Sequence, residues 1–424
     1  MTKNNARLIL LISCFCLLNL FFYTLAGAET DEPLEPNSPP AWENVLTISS
    51  DSGARLPSVA AAPNSKEVIV AYISQRSALE ENTDPYYHDS SNNGATFTGS
   101  PAPINTNAST EAIDVAVTFD NSSVAHALWI EATNSDNREL RYAKESSWPT
   151  SSSLRASVTN PGVIFTPRIV ASGSNTLDIV WAQSSSGIIT DIYHARSTNG
   201  GSSWSTSKVI LDTADLSQSP DLAVASSIIH VVWSEGLINA KINYVQSTNG
   251  GSSWSAPIQI SNRSSATNAL EPSIIAIGSV VQVAYTNRVS ADNQAVHYLR
   301  CNGNCTNINN WISSNNPVSG IKVGANVGDP FDVASTIAQV GSCTHLYFHG
   351  VQTGANEQVI GLDSCGRWSF SARDVVTSSS IRALNPDLAT QNNWWVYLVY
   401  EDKTNAQIKF LRNLPAIYLP LIRK

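Results

Sequence analysis

Ser197-Thr-Asn-Gly-Gly-Ser-Ser-Trp204 returns unchanged as Ser247-Thr-Asn-Gly-Gly-Ser-Ser-Trp254, fifty residues later. A looser copy, Ser90-Ser-Asn-Asn-Gly-Ala-Thr-Phe97, lies upstream. Self-similarity at a fixed period of this size is the mark of a repeat architecture. Working outward from each octet, a β-like run ends in an aromatic residue. These aromatics are Tyr72, Trp129, Trp181, Trp233, Tyr285, Phe348 and Tyr400, spaced by 52 to 63 residues. Seven copies follow from that spacing. Each copy also opens with a short strand: LPSVA (56–60), AIDVA (112–116), TPRIV (166–170), SPDLA (219–223), EPSII (271–275), PFDVA (330–334) and NPDLA (385–389).

Val, Ile, Tyr and Trp fill the runs, and Asn, Gly and Ser separate them, which is strand-and-turn chemistry. Four strands in some 40–50 residues make one propeller blade. The expectation is an all-β, seven-bladed β-propeller over 42–413, with six blades as the alternative. The last copy reaches only a third strand, AQIKFLR (406–412). Trp42-Glu-Asn-Val-Leu-Thr-Ile48 has the pattern of Trp254-Ser-Ala-Pro-Ile-Gln-Ile260, the outer strand of an interior copy. The N-terminal strand is therefore expected to complete the last blade and remove the open edge.

The flanks carry different chemistry. Lys3 and Arg7 precede an apolar run, Leu8 to Leu25, and Ala26-Gly27-Ala28 is a cleavage signal. Residues 1–28 are expected to be a signal peptide, with an uncleaved anchor as the alternative. Its loss would take the net charge from −9 to −11. Residues 29–41 are acidic and Pro-rich and read as a linker. Residues 414–424 form an apolar tail ending in Arg423 and Lys424; packing on the propeller and an export or surface-attachment role are its two readings. No other segment is expected to span a membrane. The destination is secreted or cell-surface. An acidic chain without a basic run excludes nucleic acid as partner.

Four cysteines, Cys301, Cys305, Cys343 and Cys365, remain after the signal. An even count in an exported chain favours disulfides, paired locally as Cys301–Cys305 and Cys343–Cys365. A metal site is the rival, but no CxxC pair or His cluster accompanies them. The chain also has no HExxH, Gly-x-Ser-x-Gly, P-loop or Rossmann pattern.

The octets resemble the Asp-box, or BNR, repeats of the sialidase superfamily, Ser-x-Asp-x-Gly-x-Thr-Trp. Here Ser90, Ser197 and Ser247 open the boxes. Asn92, Asn199 and Asn249 stand where Asp is usual, Gly94, Gly201 and Gly251 follow, and Phe97, Trp204 and Trp254 close them. The resemblance implies a structural role for these residues.

It also implies a catalytic set. Arg55-Leu56-Pro57 resembles the Arg-Ile-Pro motif that carries the first arginine of a carboxylate clamp, and Arg76 follows it. Asp84 falls where the family has its acid/base. Glu271 and Arg288 have the order of the family's Glu and second Arg. Arg367 or Arg382 would be the third arginine, and Tyr397 or Tyr400 the nucleophile. The family's catalytic domain is six-bladed, a departure from the count here.

Repeat register supplies a separate candidate. Ser58, Asp114, Arg168, Asp221, Ser273, Asp332 and Asp387 occupy one position of the opening strand and should ring the propeller axis. The four carboxylates either cap backbone N–H groups of neighbouring blades or recruit a cation, with calcium the candidate ion. No cofactor is required and no metal ligand set is assigned. Two functions stay open. One is a non-catalytic propeller that binds an extracellular glycan or protein. The other is a retaining exo-glycosidase of exo-sialidase type, acting on terminal acidic sugars.

Overall fold

The computed structural model describes residues 42–413, apart from 52, 76–81, 106–109, 135–136, 150–162, 187–188, 206–207, 212–214, 262–267, 291–292, 314–334, 352–355, 366–373 and 393. The segments read as signal, linker and tail, together with Arg76, Asp332 and Arg367, lie outside the described residues.

Seven antiparallel sheets follow one another along the chain. Blade 1 is Arg55–Ala61, Val68–Gln75, Thr83–Ser90 and Ala102–Pro103. Blade 2 has three described strands, Glu111–Phe119, Ala125–Asn134 and Asn137–Lys144. Blade 3 is Ile164–Ala171, Leu177–Ser186, Ile189–Ser197 and Lys208–Leu211. Blade 4 is Ser217–Ala225, Ile228–Glu235, Lys241–Ser247 and Ile258–Gln259. Blade 5 is Asn268–Ile277, Val280–Ser290, Asn293–Asn302 and Trp311–Ser313. Blade 6 is Ser335–Val340, Cys343–Val351, Glu357–Cys365 and Asp374–Val375. Blade 7 is Ala383–Gln391, Trp395–Asp402, Gln407–Arg412 and, from the other end of the chain, Leu46–Ser49.

The first strand of each sheet touches the first strand of the next, and the seventh touches the first. The sheets therefore close into a seven-bladed ring, and the six-bladed alternative falls. The closing strand is the N-terminal one: Leu46 faces Phe410 and Thr47 faces Lys409.

Seven buried apolar clusters fill the ring, one at each junction between neighbouring blades. The repeated aromatics sit in them, each 2% exposed or less. Full burial of one such side chain is worth about 3 kcal/mol, so the periodic positions hold the ring together. Indole nitrogens need partners when buried. Trp181 Nε1 donates to Gln183 Oε1 at 2.9 Å and Trp233 Nε1 to Glu235 Oε2 at 2.7 Å, in each case two residues along the same strand.

The octets form the turns after the third strands, and the three are built alike. In the second, Gly201 N donates to Ser197 Oγ at 2.9 Å and Ser203 N to Asn199 Oδ1 at 2.9 Å. Asn199 Nδ2 donates back to Ser203 Oγ at 2.7 Å. Asn thus supplies the acceptor that Asp would, and adds a donor that the turn hydroxyl receives. Gly201 has φ +80°, and a Cβ there would overlap the Tyr142 hydroxyl of the preceding blade.

The aromatic that follows each turn leans on the preceding blade too. Phe97 meets Phe410 at 4.7 Å between ring centroids, Trp204 meets Tyr142 at 5.2 Å, and Trp254 meets His194 at 5.2 Å. Three blades without an octet, 2, 5 and 7, keep that contact. Trp148 meets Tyr87 at 4.7 Å, Trp311 meets Tyr244 at 5.1 Å, and Trp42 meets Tyr347 at 5.6 Å. In blade 5 the turn is closed by the Cys301–Cys305 disulfide, and Trp311 Nε1 donates to the Cys305 carbonyl at 2.9 Å. Cys343 is also disulfide-bonded, and the strand register puts Cys365 directly opposite it.

Candidate functional site

The first strand of every blade is an edge, with backbone groups turned toward the axis that no fifth strand can satisfy. The sequence handles this edge with a repeated bulge. Register shifts interrupt the pairing between Arg55 and Ser58, Gln218 and Asp221, Leu270 and Ser273, and Leu384 and Asp387. In five blades the bulge places a non-glycine residue at positive φ immediately before a proline. These residues are Leu56, Thr166, Ser219, Glu271 and Asn385, at φ 49–50°. Left-handed backbone at such residues costs of order 1–3 kcal/mol each, and it persists where the surroundings over-determine it. The proline that follows brings no N–H donor to the exposed edge.

Four side chains at the ring position accept from N–H groups of this edge. Asp221 Oδ2 accepts from Ile274 N of the next blade at 2.8 Å, and its Oδ1 accepts from Leu222 N at 2.9 Å. Asp387 does the same across the closing seam, with Val59 N at 2.9 Å and Leu388 N at 2.9 Å. Ser58 Oγ accepts from Val117 N at 3.3 Å. Asp114 accepts from Val115 N at 2.8 Å. The capping role expected for these carboxylates is therefore the geometry of Asp221 and Asp387. Among the described residues, no group of three or more His, Cys, Asp or Glu is arranged to hold a metal ion.

These strands enclose an axial channel of about 470 Å³, to which all seven blades contribute. Its lining includes Leu56, Thr166, Ser219, Glu271 and Asn385, the strained residues, together with Asp114, Arg168, Asp221 and Asp387. Among the described residues, Arg168 is the single cation of the lining. Burial works against its charge, but Asp114, Asp221, Asp387 and Glu271 more than offset that, and its pKa is raised. Burial pushes the Asp221 carboxyl up to about 6 against the pull of Arg168 and two N–H donors. Burial raises Asp114 and Asp387 as well, again opposed by Arg168 and backbone donors. Glu271 Oε1 accepts from the Ser219 hydroxyl of the preceding blade at 2.8 Å.

The residues implied by the sialidase resemblance are not gathered here as a set. Glu271 is in the channel. Arg55 pairs with Glu111 of blade 2 at 3.7 Å, both partly exposed, and is not part of the lining. Asp84 is 2% exposed in the third strand of blade 1, opposite Ser74. Arg288 lies in the second strand of blade 5, opposite Asn268. Arg382 is ion-paired to Glu357. The Tyr397 hydroxyl donates to Gln391 at 2.7 Å, and Tyr400 is buried in the junction between blades 6 and 7. Sequence reasoning missed Thr166, Ser219 and Asn385 as channel residues. Their signal was present: a residue followed by proline recurs at one place in five of the seven copies.

No family model matches this chain, and no curated protein matches it. Solved structures do. A protein of unknown function from Dyadobacter fermentans is 10% identical with a TM-score of 0.55, over 89% of this chain and 99% of that one. An ulvan lyase, described as a new family of polysaccharide lyase, is 10% identical with a TM-score of 0.58, over 87% of this chain and 95% of that one. The NanB sialidase of Streptococcus pneumoniae, as a K499G mutant, is 12% identical with a TM-score of 0.46, over 91% of this chain and 72% of that one. At these identities the likeness is one of fold.

Proposed function

We propose that this chain is an exported, non-catalytic propeller that binds an extracellular glycan at the mouth of its axial channel. The carrying observation is the strained ring. Five left-handed residues converge on one polar cavity, and strain of that kind collects where a surface is shaped for a partner. A concave site with convergent polar groups is the default location for a small ligand. A polysaccharide lyase among the similar folds supports a saccharide as that ligand.

The absence of catalysis rests on the arginines. A carboxylate clamp needs guanidinium groups free to face the substrate. Arg55 is paired between blades, and Arg168 lies in the field of four carboxylates and donates to the Pro167 carbonyl at 2.9 Å. Export is supported by residues 1–28 and by the disulfide-bonded cysteines. One observation favours the exo-glycosidase reading: Glu271 does sit in the channel, beside a hydroxyl donor.

The test is a glycan-array screen of the purified protein, run beside fluorogenic glycosides that include a sialoside. Saccharide capture without release of the fluorophore is expected, and Glu271→Ala should weaken the capture. Release from the sialoside that disappears in Arg55→Ala would overturn the non-catalytic reading.

A further inference from the structure

The channel carries a sign. Its charged lining residues are Asp114, Asp221, Asp387 and Glu271 against Arg168 alone, a formal balance of −3 among the described residues. Three of the four negative groups are tied to a neighbouring blade. Asp221 and Asp387 each hold two backbone N–H groups, one from their own blade and one from the next. Glu271 is held by the Ser219 hydroxyl. Arg168 is committed as well: its Nη1 donates to the Pro167 carbonyl at 2.9 Å, and the fields of the four carboxylates offset its charge. Charges in a narrow, poorly solvated cavity are little screened by salt, so like charge there is strongly rejected.

We infer that the axial channel selects saccharides by charge. It accepts an uncharged or amine-bearing sugar end and rejects one that bears a carboxylate. The inference rests on the glycan-binding reading and makes it specific. It runs opposite to what a carboxylate clamp would take. An amine-bearing end gains from the four carboxylates, and an uncharged one meets the hydroxyl and amide heads of Thr166, Ser219 and Asn385. A uronate or a sialic acid would set its own carboxylate among theirs. Like-charge juxtaposition of this kind is how binding sites exclude wrong partners.

Two measurements on the purified protein test it. The first is calorimetric titration with three oligosaccharides of equal length: an N-acetylglucosamine trimer, the corresponding glucosamine trimer, and a glucuronate-terminated trimer. The first two should bind at least about tenfold more tightly than the third. Glu271→Gln keeps the acceptor for Ser219 and removes one charge, and it should narrow the gap about threefold. Equal or tighter binding of the glucuronate sugar overturns the inference.

The second measurement needs no saccharide. Cationic, neutral and anionic nitroxides are added in turn. Their relaxation of the Val59, Leu222, Ile274 and Leu388 amide signals is compared with that of amides outside the channel. The expected order is cation, then neutral, then anion. Equal relaxation by all three, or a larger effect of the anion, overturns the inference. If no trimer binds while the nitroxides keep the expected order, the glycan reading fails and the charge selection stands.

Discussion

His349 is fully buried, and among the described residues neither of its ring nitrogens has a hydrogen-bond partner. Burial and the nearby Arg382 push its pKa down to about 3. It follows Phe348, the repeated aromatic of blade 6, and in blade 4 the corresponding Ser234 hydroxyl reaches the Ala269 carbonyl of the next blade at 2.9 Å. An unsatisfied buried polar group costs about 1–3 kcal/mol. His349→Leu is therefore expected to stabilise the protein by about that much near neutral pH. The folded histidine binds fewer protons than the unfolded one between pH 3 and 6.5, so it removes stability as pH falls through that window. The gain from His349→Leu should then be larger at about pH 4.5 than at about pH 7, read by urea denaturation at both. An unchanged gain would mean that the ring nitrogens do find partners. Nothing in the residue order announces this site. His349 reads as an ordinary strand residue, and only its surroundings make it costly.

At the scale of the element, the turn after the third strand is where the blades differ most, yet its work is constant. Three blades use the octet, blade 5 uses the Cys301–Cys305 loop, and in both cases an aromatic lands on the preceding blade. Blade 6 shows the other half of the contact. Its third strand has Gly361 where blades 4 and 7 have Tyr244 and Phe410, and the ring of Tyr347 from the second strand fills the gap and receives Trp42. Ser247→Ala removes the acceptor of both Gly251 N and Asn249 N and should cost about 1–2 kcal/mol in urea denaturation. Closing so short a loop by a disulfide contributes about 2 kcal/mol, so the Cys301→Ser, Cys305→Ser pair should cost a similar amount. A negligible effect of either change would show that the aromatic contact alone holds the turn. The octets are legible because polar turn residues must recur at fixed offsets. Their partners are not, because they come from a different repeat.

For the whole molecule, the critical joint is the seam where the two ends of the chain meet. Arg412 binds Glu43 through Nε at 2.6 Å and Nη2 at 3.0 Å, which ties the last third strand to the N-terminal segment. Its Nη1 reaches the carbonyl of Asn93 in the first octet at 2.8 Å, and the guanidinium lies 4.9 Å from the Trp395 ring centroid. One side chain thus joins blade 7, the closing strand and blade 1. Arg412→Ala is expected to cost about 3 kcal/mol, because it also leaves the half-buried Glu43 without its partner. Limited proteolysis should then cut near Glu43 before any interior blade. Loss of stability with no preference for the seam would mean that the strand pairing alone closes the ring.

The residue order by itself determined the fold of this protein. The spacing of Tyr72, Trp129, Trp181, Trp233, Tyr285, Phe348 and Tyr400 sets the number of blades, because each must bury one large ring at each junction. The likeness of Trp42–Ile48 to an interior outer strand sets the closure. Those features are local and periodic, so they survive in a linear reading. The site is periodic only in its ring position. Arg168 shares one channel with Asp114, Asp221, Asp387 and Glu271 only because five repeats are wound about one axis, and Arg55 pairs with Glu111 instead of lining that channel. Distances between repeats arise from ring closure, and charge depends on those distances. Repeat register thus showed which side chains ring the axis, while their distances, their hydrogen bonds and the charge balance of the channel were decided by tertiary structure.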